Sequence, residues 1–144
     1  MLPEAIELQI VTPQRHVLQE TVQAIEIPGK EGYLGILPGH APLITELGIG
    51  ILAYRKGGET RYVSVIQGYA EVLPDRVIVL AEISERAEEI DLERARAAQA
   101  RAQAELAKTS PGSSDWQERK LAVERALVRT QVVGKQGGPV GSHK

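Results

Sequence analysis

Cysteine and phenylalanine are both absent from the 144 residues, and aromatic residues amount to only 3% of the chain. Without cysteine there is no disulfide and no thiolate metal site. With so few rings, a cleft that stacks nucleic-acid bases on aromatic side chains is disfavoured. Charge of one sign is also lacking, since the formal net charge is −2. That excludes the broad basic footprint of a nucleic-acid binder. No run approaches the ~20 apolar residues of a membrane-spanning helix. The N-terminal stretch MLPEAIELQIVTPQR lacks a basic segment followed by an apolar one, so no secretory signal is expected. Catalytic signatures are missing as well: no HExxH, no GxSxG and no phosphate-binding GxxxxGK[ST] occurs.

What is present falls into two parts with different periods. Up to Ser84, β-branched residues come in short runs. Ile6, Leu8 and Ile10 alternate with Glu7 and Gln9, and Ile25 and Ile27 flank Glu26. That period of two marks half-buried strands. RYVSVIQ, YAEVL and RVIVLAE follow closely, separated by the turn signals PGKEG, LPGHAP, RKGGE and LPDR. These breaks predict roughly nine or ten short strands, mainly antiparallel and closed into a sandwich or barrel.

Beyond Ser84 the period becomes helical and alanine dominates. Residues 90–108 are predicted as one helix and 116–133 as a second. The link TSPGSS joins them into an antiparallel hairpin with arms about 27 Å long. Asp91 is placed to cap the first helix, and Ser114 with Gln117 has the spacing of a capping box on the second. The expected organisation is a β-sandwich over residues 1–84, a helical hairpin over 85–133 and a flexible tail over 134–144, together an α+β fold. Because the first helix offers mainly alanine, the hairpin is expected to be only weakly fastened. The first part carries 6 basic and 10 acidic residues, the second 11 and 9.

The histidines are His16, His40 and His143. His40 stands between Pro38 and Pro42 in GILPGHAPL, where the prolines fix the backbone. It reads as a turn histidine bonded to backbone or as a partner contact, in preference to a catalyst. Arg94 and the pair Arg125 and Arg129 are local oddities. A cation in the first turn of a helix opposes the macrodipole, and like charges at i,i+4 repel. An anion between the helices would relieve both, since guanidinium groups bind phosphate bidentately.

The segment EGYLGILPGHAPLI carries the most specific pattern, G-x-x-G-x-x-P-x-H-x-P, at Gly32, Gly35, Pro38, His40 and Pro42. With QGYAEV, VIVLAE, IDLERA and LAVERALVR, it resembles the epsilon subunit of F-type ATP synthases, called delta in mitochondria. The resemblance covers about residues 4–133. It departs at Tyr69, where the family usually has a glycine.

The resemblance implies a β-sandwich followed by a helical hairpin, and a non-catalytic rotor subunit of the central stalk. Its implied partners are the gamma subunit, the c-subunit ring and, for an extended hairpin, the alpha and beta subunits. Nucleic acid is not among them. Glu31, Gly32 and Tyr33 would meet the c ring and His40 the gamma subunit. Arg119, Lys120, Arg125 and Arg129 would meet the beta subunit and block ATP hydrolysis.

In some bacterial members the folded hairpin binds ATP through an I/L-D-x-x-R-A motif. Here that motif is Ile90, Asp91, Arg94 and Ala95, joined by Glu85, Arg125 and Arg129. The phosphates would lie near Arg94, Arg125 and Arg129, and the adenine edge near Glu85 and Asp91. ATP would act as a regulatory ligand, with no cofactor or metal required. The implied location is peripheral, on the cytoplasmic face of a bacterial plasma membrane or on a thylakoid. The alternatives are an autonomous nucleotide-sensing module outside any motor and, less consistent with the missing signatures, an enzyme built on a β-sandwich.

Overall fold

The computed structural model describes residues 3–137. Seven strands come first: β1 (Ile6–Val11), β2 (His16–Val22), β3 (Ala24–Gly29), β4 (Gly32–Ile36), β5 (Leu43–Lys56), β6 (Glu59–Leu73) and β7 (Arg76–Arg86). A single 3-10 turn, Ala87–Glu89, leads into α1 (Leu92–Ala107), which is followed by α2 (Trp116–Lys135). The strands form one sheet in the order β2-β1-β7-β6-β5-β3-β4. Every neighbouring pair is antiparallel except β1 with β7, which is parallel. The sheet closes over itself, bringing β2 against β5 and β7. One core lies between its halves, built on Ile6, Leu8, Ile10, Val22, Ile27, Leu52, Val65 and Val79.

Seven strands replace the nine or ten expected, because three of them are long: β5 has 14 residues, β6 15 and β7 11. Glycines that look like breaks in the sequence lie inside these strands. At Gly68 (φ +136°) the chain bends, after Gln67 in the left-handed region (φ +54°). A Cβ at Gly68 would collide with the Leu80 carbonyl oxygen, so only glycine lets β6 and β7 approach here. At Gly50 a Cβ would come within 2.6 Å of Pro28 Cβ and of the Tyr33 hydroxyl. Pro28 has no N–H, and the β3–β5 ladder shifts register between Glu26 and Gly29. The Ile51 N–H donates instead to the Tyr33 hydroxyl, at 3.0 Å.

Asp91 caps α1, its Oδ1 accepting from Arg94 N at 3.2 Å. The expected capping box on the second helix does not form. Asp115 holds the N-cap position in helical backbone geometry, so consecutive turns from Ser110 feed directly into α2. The box requires an extended cap residue. α2 runs two residues past the predicted end, to Lys135. Of the expected tail, residues 138–144 lie outside the described residues.

A second apolar cluster docks the hairpin on the sheet. It joins Ile51, Ala87, Ile90, Ala95, Val128, Val132 and Val133, with Ile49, Tyr62 and Leu92 beside them. Ala95 is the buried residue of α1, whereas Ala126, Val128, Val132 and Val133 are buried on α2. Gln136 adds a polar tie, its Oε1 accepting from Tyr62 N at 2.9 Å. The hairpin is therefore held at its root and through the second half of α2.

Candidate ligand cavity at the hairpin root

Where β7 ends and α1 begins, the chain turns sharply and side chains from four elements converge. Glu85 comes from the end of β7, Glu89 from the 3-10 turn, Asp91 from the cap, Arg94 and Arg101 from α1, and Arg129 from α2. With Ala97 and Ala98 they line a cavity of ≈ 460 Å³. That size lies within the range of small-molecule sites, about 300–1,000 Å³. Positions 94, 97, 98 and 101 share a face of α1 because three or four residues make one turn. The two alanines keep the floor shallow and leave room between the arginines.

The charges differ in how far they are engaged. Arg129 donates to Glu85 through Nε at 2.7 Å and Nη2 at 3.3 Å. Glu89 is more heavily bonded. Arg15 reaches it from the β1–β2 turn through Nη1 at 2.7 Å and Nη2 at 2.8 Å. Arg86 adds its backbone N–H and Nη2, each at 2.9 Å. These bonds, with that from Arg15 the largest cause, hold the Glu89 carboxyl down to about 2.

Of the residues predicted for an ATP site, the structure brings together Glu85, Asp91, Arg94 and Arg129. Ile90 and Ala95 lie in the apolar cluster and do not line the cavity. Arg125 is not among the lining residues; its guanidinium lies 3.6 Å from Glu118. Arg101 and Glu89 line the cavity but were not legible as site residues. Arg101 follows Arg94 by seven positions on the same face, a signal the spacing did hold. Arg15 is 74 residues from Glu89 in sequence, and only the tertiary fold shows the pair.

The four cations read as one inhibitory surface do not share a face. At 100° per residue, positions 119, 120, 125 and 129 spread over more than half the helix circumference. Each is engaged within the chain. Arg119 pairs with Glu105, Lys120 sits 5.3 Å from the Trp116 ring centroid, and Arg125 and Arg129 have the acidic partners already given.

Glu31 lies in the tight turn between β3 and β4, next to Gly32 and Tyr33, and is exposed. His40 lies beyond the other end of β4, so the two expected contact points are separated by roughly 17 Å of strand. The His40 Nδ1 is 2.7 Å from the Ala41 carbonyl oxygen, as a turn histidine bonded to backbone would be. Tyr33 is 54% exposed even though its hydroxyl is used internally. An outward apolar patch went unread. Ile44 is 71% exposed, Tyr69 56% and Leu80 54%, and Tyr69 and Leu80 are cross-strand neighbours.

Residues 5–87 match the family model for the β-sandwich domain of the ATP synthase delta/epsilon chain, and residues 88–134 match that for its long α-helix domain. The chain belongs to the ATP synthase delta/epsilon family. It is 47% identical over 134 residues to the ATP synthase epsilon chain of Geobacter sulfurreducens, covering 93% of this chain and 97% of that one. It is 52% identical over 110 residues to the epsilon chain of Koribacter versatilis, covering 76% and 78%. Among solved structures, a chain in the Euglena gracilis mitochondrial ATP synthase OSCP/F1/c-ring assembly superposes with a TM-score of 0.78 at 28% identity, covering 92% of this chain and 84% of that one. The molecule is thus an epsilon-type, non-catalytic subunit of an F-type ATP synthase. None of its described helices is long and apolar enough to cross a membrane.

Proposed function

We propose that this epsilon-type subunit turns with the central stalk, seated by its sandwich on the gamma subunit and the c ring, and that its hairpin restrains ATP hydrolysis when it leaves the sandwich. ATP bound in the root cavity would keep the hairpin docked. The subunit would lie peripherally, on the cytoplasmic face of the membrane holding the c ring. The observation that carries the ATP reading is the convergence of Glu85, Asp91, Arg94 and Arg129 on one cavity. Arg94 and Arg101 bring guanidinium donors for phosphate, while the carboxylates accept from an exocyclic amine. Arg129 is shared, since phosphate would compete with Glu85 for it.

On the sandwich, the rigid turn at Glu31, Gly32 and Tyr33 suits the c-ring loops, and the His40 loop suits gamma. The apolar patch at Ile44, Tyr69 and Leu80 extends the surface we assign to gamma, because exposed apolar patches of this kind mark interaction sites. Inhibition would use Arg119, Lys120, Arg125 and Arg129 against acidic groups of the beta subunit. Arg119 and Arg129 would give up partners on other elements, Glu105 on α1 and Glu85 on β7, whereas Glu118 and Trp116 travel on α2 with Arg125 and Lys120.

Removing residues 90–144 tests the reading. The cut keeps Glu89 with its partner Arg15 on the sandwich side. The truncated subunit should still assemble, and the complex should hydrolyse ATP several-fold faster than with the full chain. An unchanged hydrolysis rate in an assembled complex would rule out inhibition by the hairpin.

A further inference from the structure

The root cavity holds three carboxylates, Glu85, Glu89 and Asp91, against three guanidiniums, Arg94, Arg101 and Arg129. The lining by itself therefore has no net charge, and an anion would gain little from entering it. Arg86 also meets Glu89, but it pairs with Glu88 as well, so these two cancel. A further positive charge on Glu89 comes from Arg15, which does not line the cavity. It belongs to the turn between β1 and β2. There Thr12 N donates to the Arg15 carbonyl oxygen at 2.9 Å, and Arg15 N returns a bond at 3.3 Å. From this fixed point its guanidinium takes both Glu89 oxygens, at 2.7 and 2.8 Å, and donates to the Ser84 carbonyl at 3.2 Å.

We propose that Arg15 is a positioning residue for the anionic ligand of this cavity: it ties the Glu89 carboxylate back against the sandwich and leaves the site with a net positive charge. The inference rests on the reading of the cavity as an ATP site. The low pKa of Glu89 agrees with the geometry, because the Arg15 bond is its largest single cause, with Arg86 adding to it. It follows that a turn of the sandwich sets the affinity of a site whose other arginines belong to the hairpin. Without Arg15, Glu89 would keep only Arg86, and its charge would face the phosphates and draw on Arg94.

The test is a double-mutant cycle on the full-length chain, with ATP and inorganic tripolyphosphate as probes in calorimetry and melting temperature as the control for folding. Arg15→Ala should weaken ATP binding roughly tenfold, the scale of an unscreened like-charge contact near a ligand. Glu89→Gln alone should bind ATP more tightly than wild type, because it removes a carboxylate from the lining. The Arg15→Ala/Glu89→Gln pair should return to within about threefold of wild type, since no carboxylate charge is left to neutralise. A merely structural role for Arg15 would show no such rescue. Wild-type affinity in Arg15→Ala, or a double variant as weak as Arg15→Ala, would overturn the proposal. If wild type binds tripolyphosphate but not ATP, the ATP reading fails while the same series still decides the role of Arg15. If wild type binds neither, both are overturned.

Discussion

Single residues at the domain junction act through charge more than through apolar area. Glu89 accepts from two arginines, one in the β1–β2 turn and one at the end of β7, and its carboxyl is held near 2. Its folded pKa is below the ordinary value of 4.5, so the stabilisation it brings is present above that value. It is lost as pH falls from about 4.5 toward 2. Glu89→Gln should therefore flatten the acid side of the stability curve in that window and lower stability at neutral pH. Urea unfolding at a series of pH values, followed by a probe on α1, checks this. Equal pH slopes for wild type and variant would show that the Glu89 cluster contributes nothing. Asp91 illustrates the opposite limit. Its cap on α1 was readable from sequence, because capping is local chemistry over three residues.

Among the elements, what was legible divides by sequence distance. The two helices and their hairpin followed from composition and the period of 3.6, and α2 differed only by its two extra residues. The strands were recognised as strands but cut too short. Gly50 and Gly68 act inside β5 and β6 as points of close approach and bending, a role indistinguishable in sequence from a turn. The site was half legible for a related reason. Glu85, Asp91, Arg94 and the distant Arg129 were named through the family resemblance, while Glu89 and its partner Arg15 needed the fold to bring them in.

The elements also differ in how firmly they hold. α2 carries the docking through Val128, Val132 and Val133, and α1 contributes Ala95 with the partly buried Leu92. Val132 is fully buried, so Val132→Ala should cost about 2 kcal/mol of hairpin docking. Amide hydrogen exchange should then quicken along α1 and α2 while the strands keep their protection. Equal loss of protection in both would mean that sandwich and hairpin unfold as one unit.

At the scale of the whole molecule, the chain is a sandwich with a hairpin held by one small apolar cluster, the Gln136–Tyr62 bond and the ionic tie Arg129–Glu85, while Arg15–Glu89 fixes the turn from which the hairpin springs. A ligand that binds only the docked arrangement stabilises it by about 2.7 kcal/mol at a hundredfold excess over its Kd. Against so limited a docking surface, that is enough to set which arrangement prevails. The central claim is that ATP does this by binding at the hairpin root. The most direct measurement is amide hydrogen exchange of the isolated full-length chain, with and without millimolar ATP, read at α1 and α2. ATP should slow exchange in both helices at least tenfold and raise the melting temperature, with Arg94→Ala removing most of the effect. Identical exchange with and without ATP, together with an unchanged melting temperature, would contradict the account.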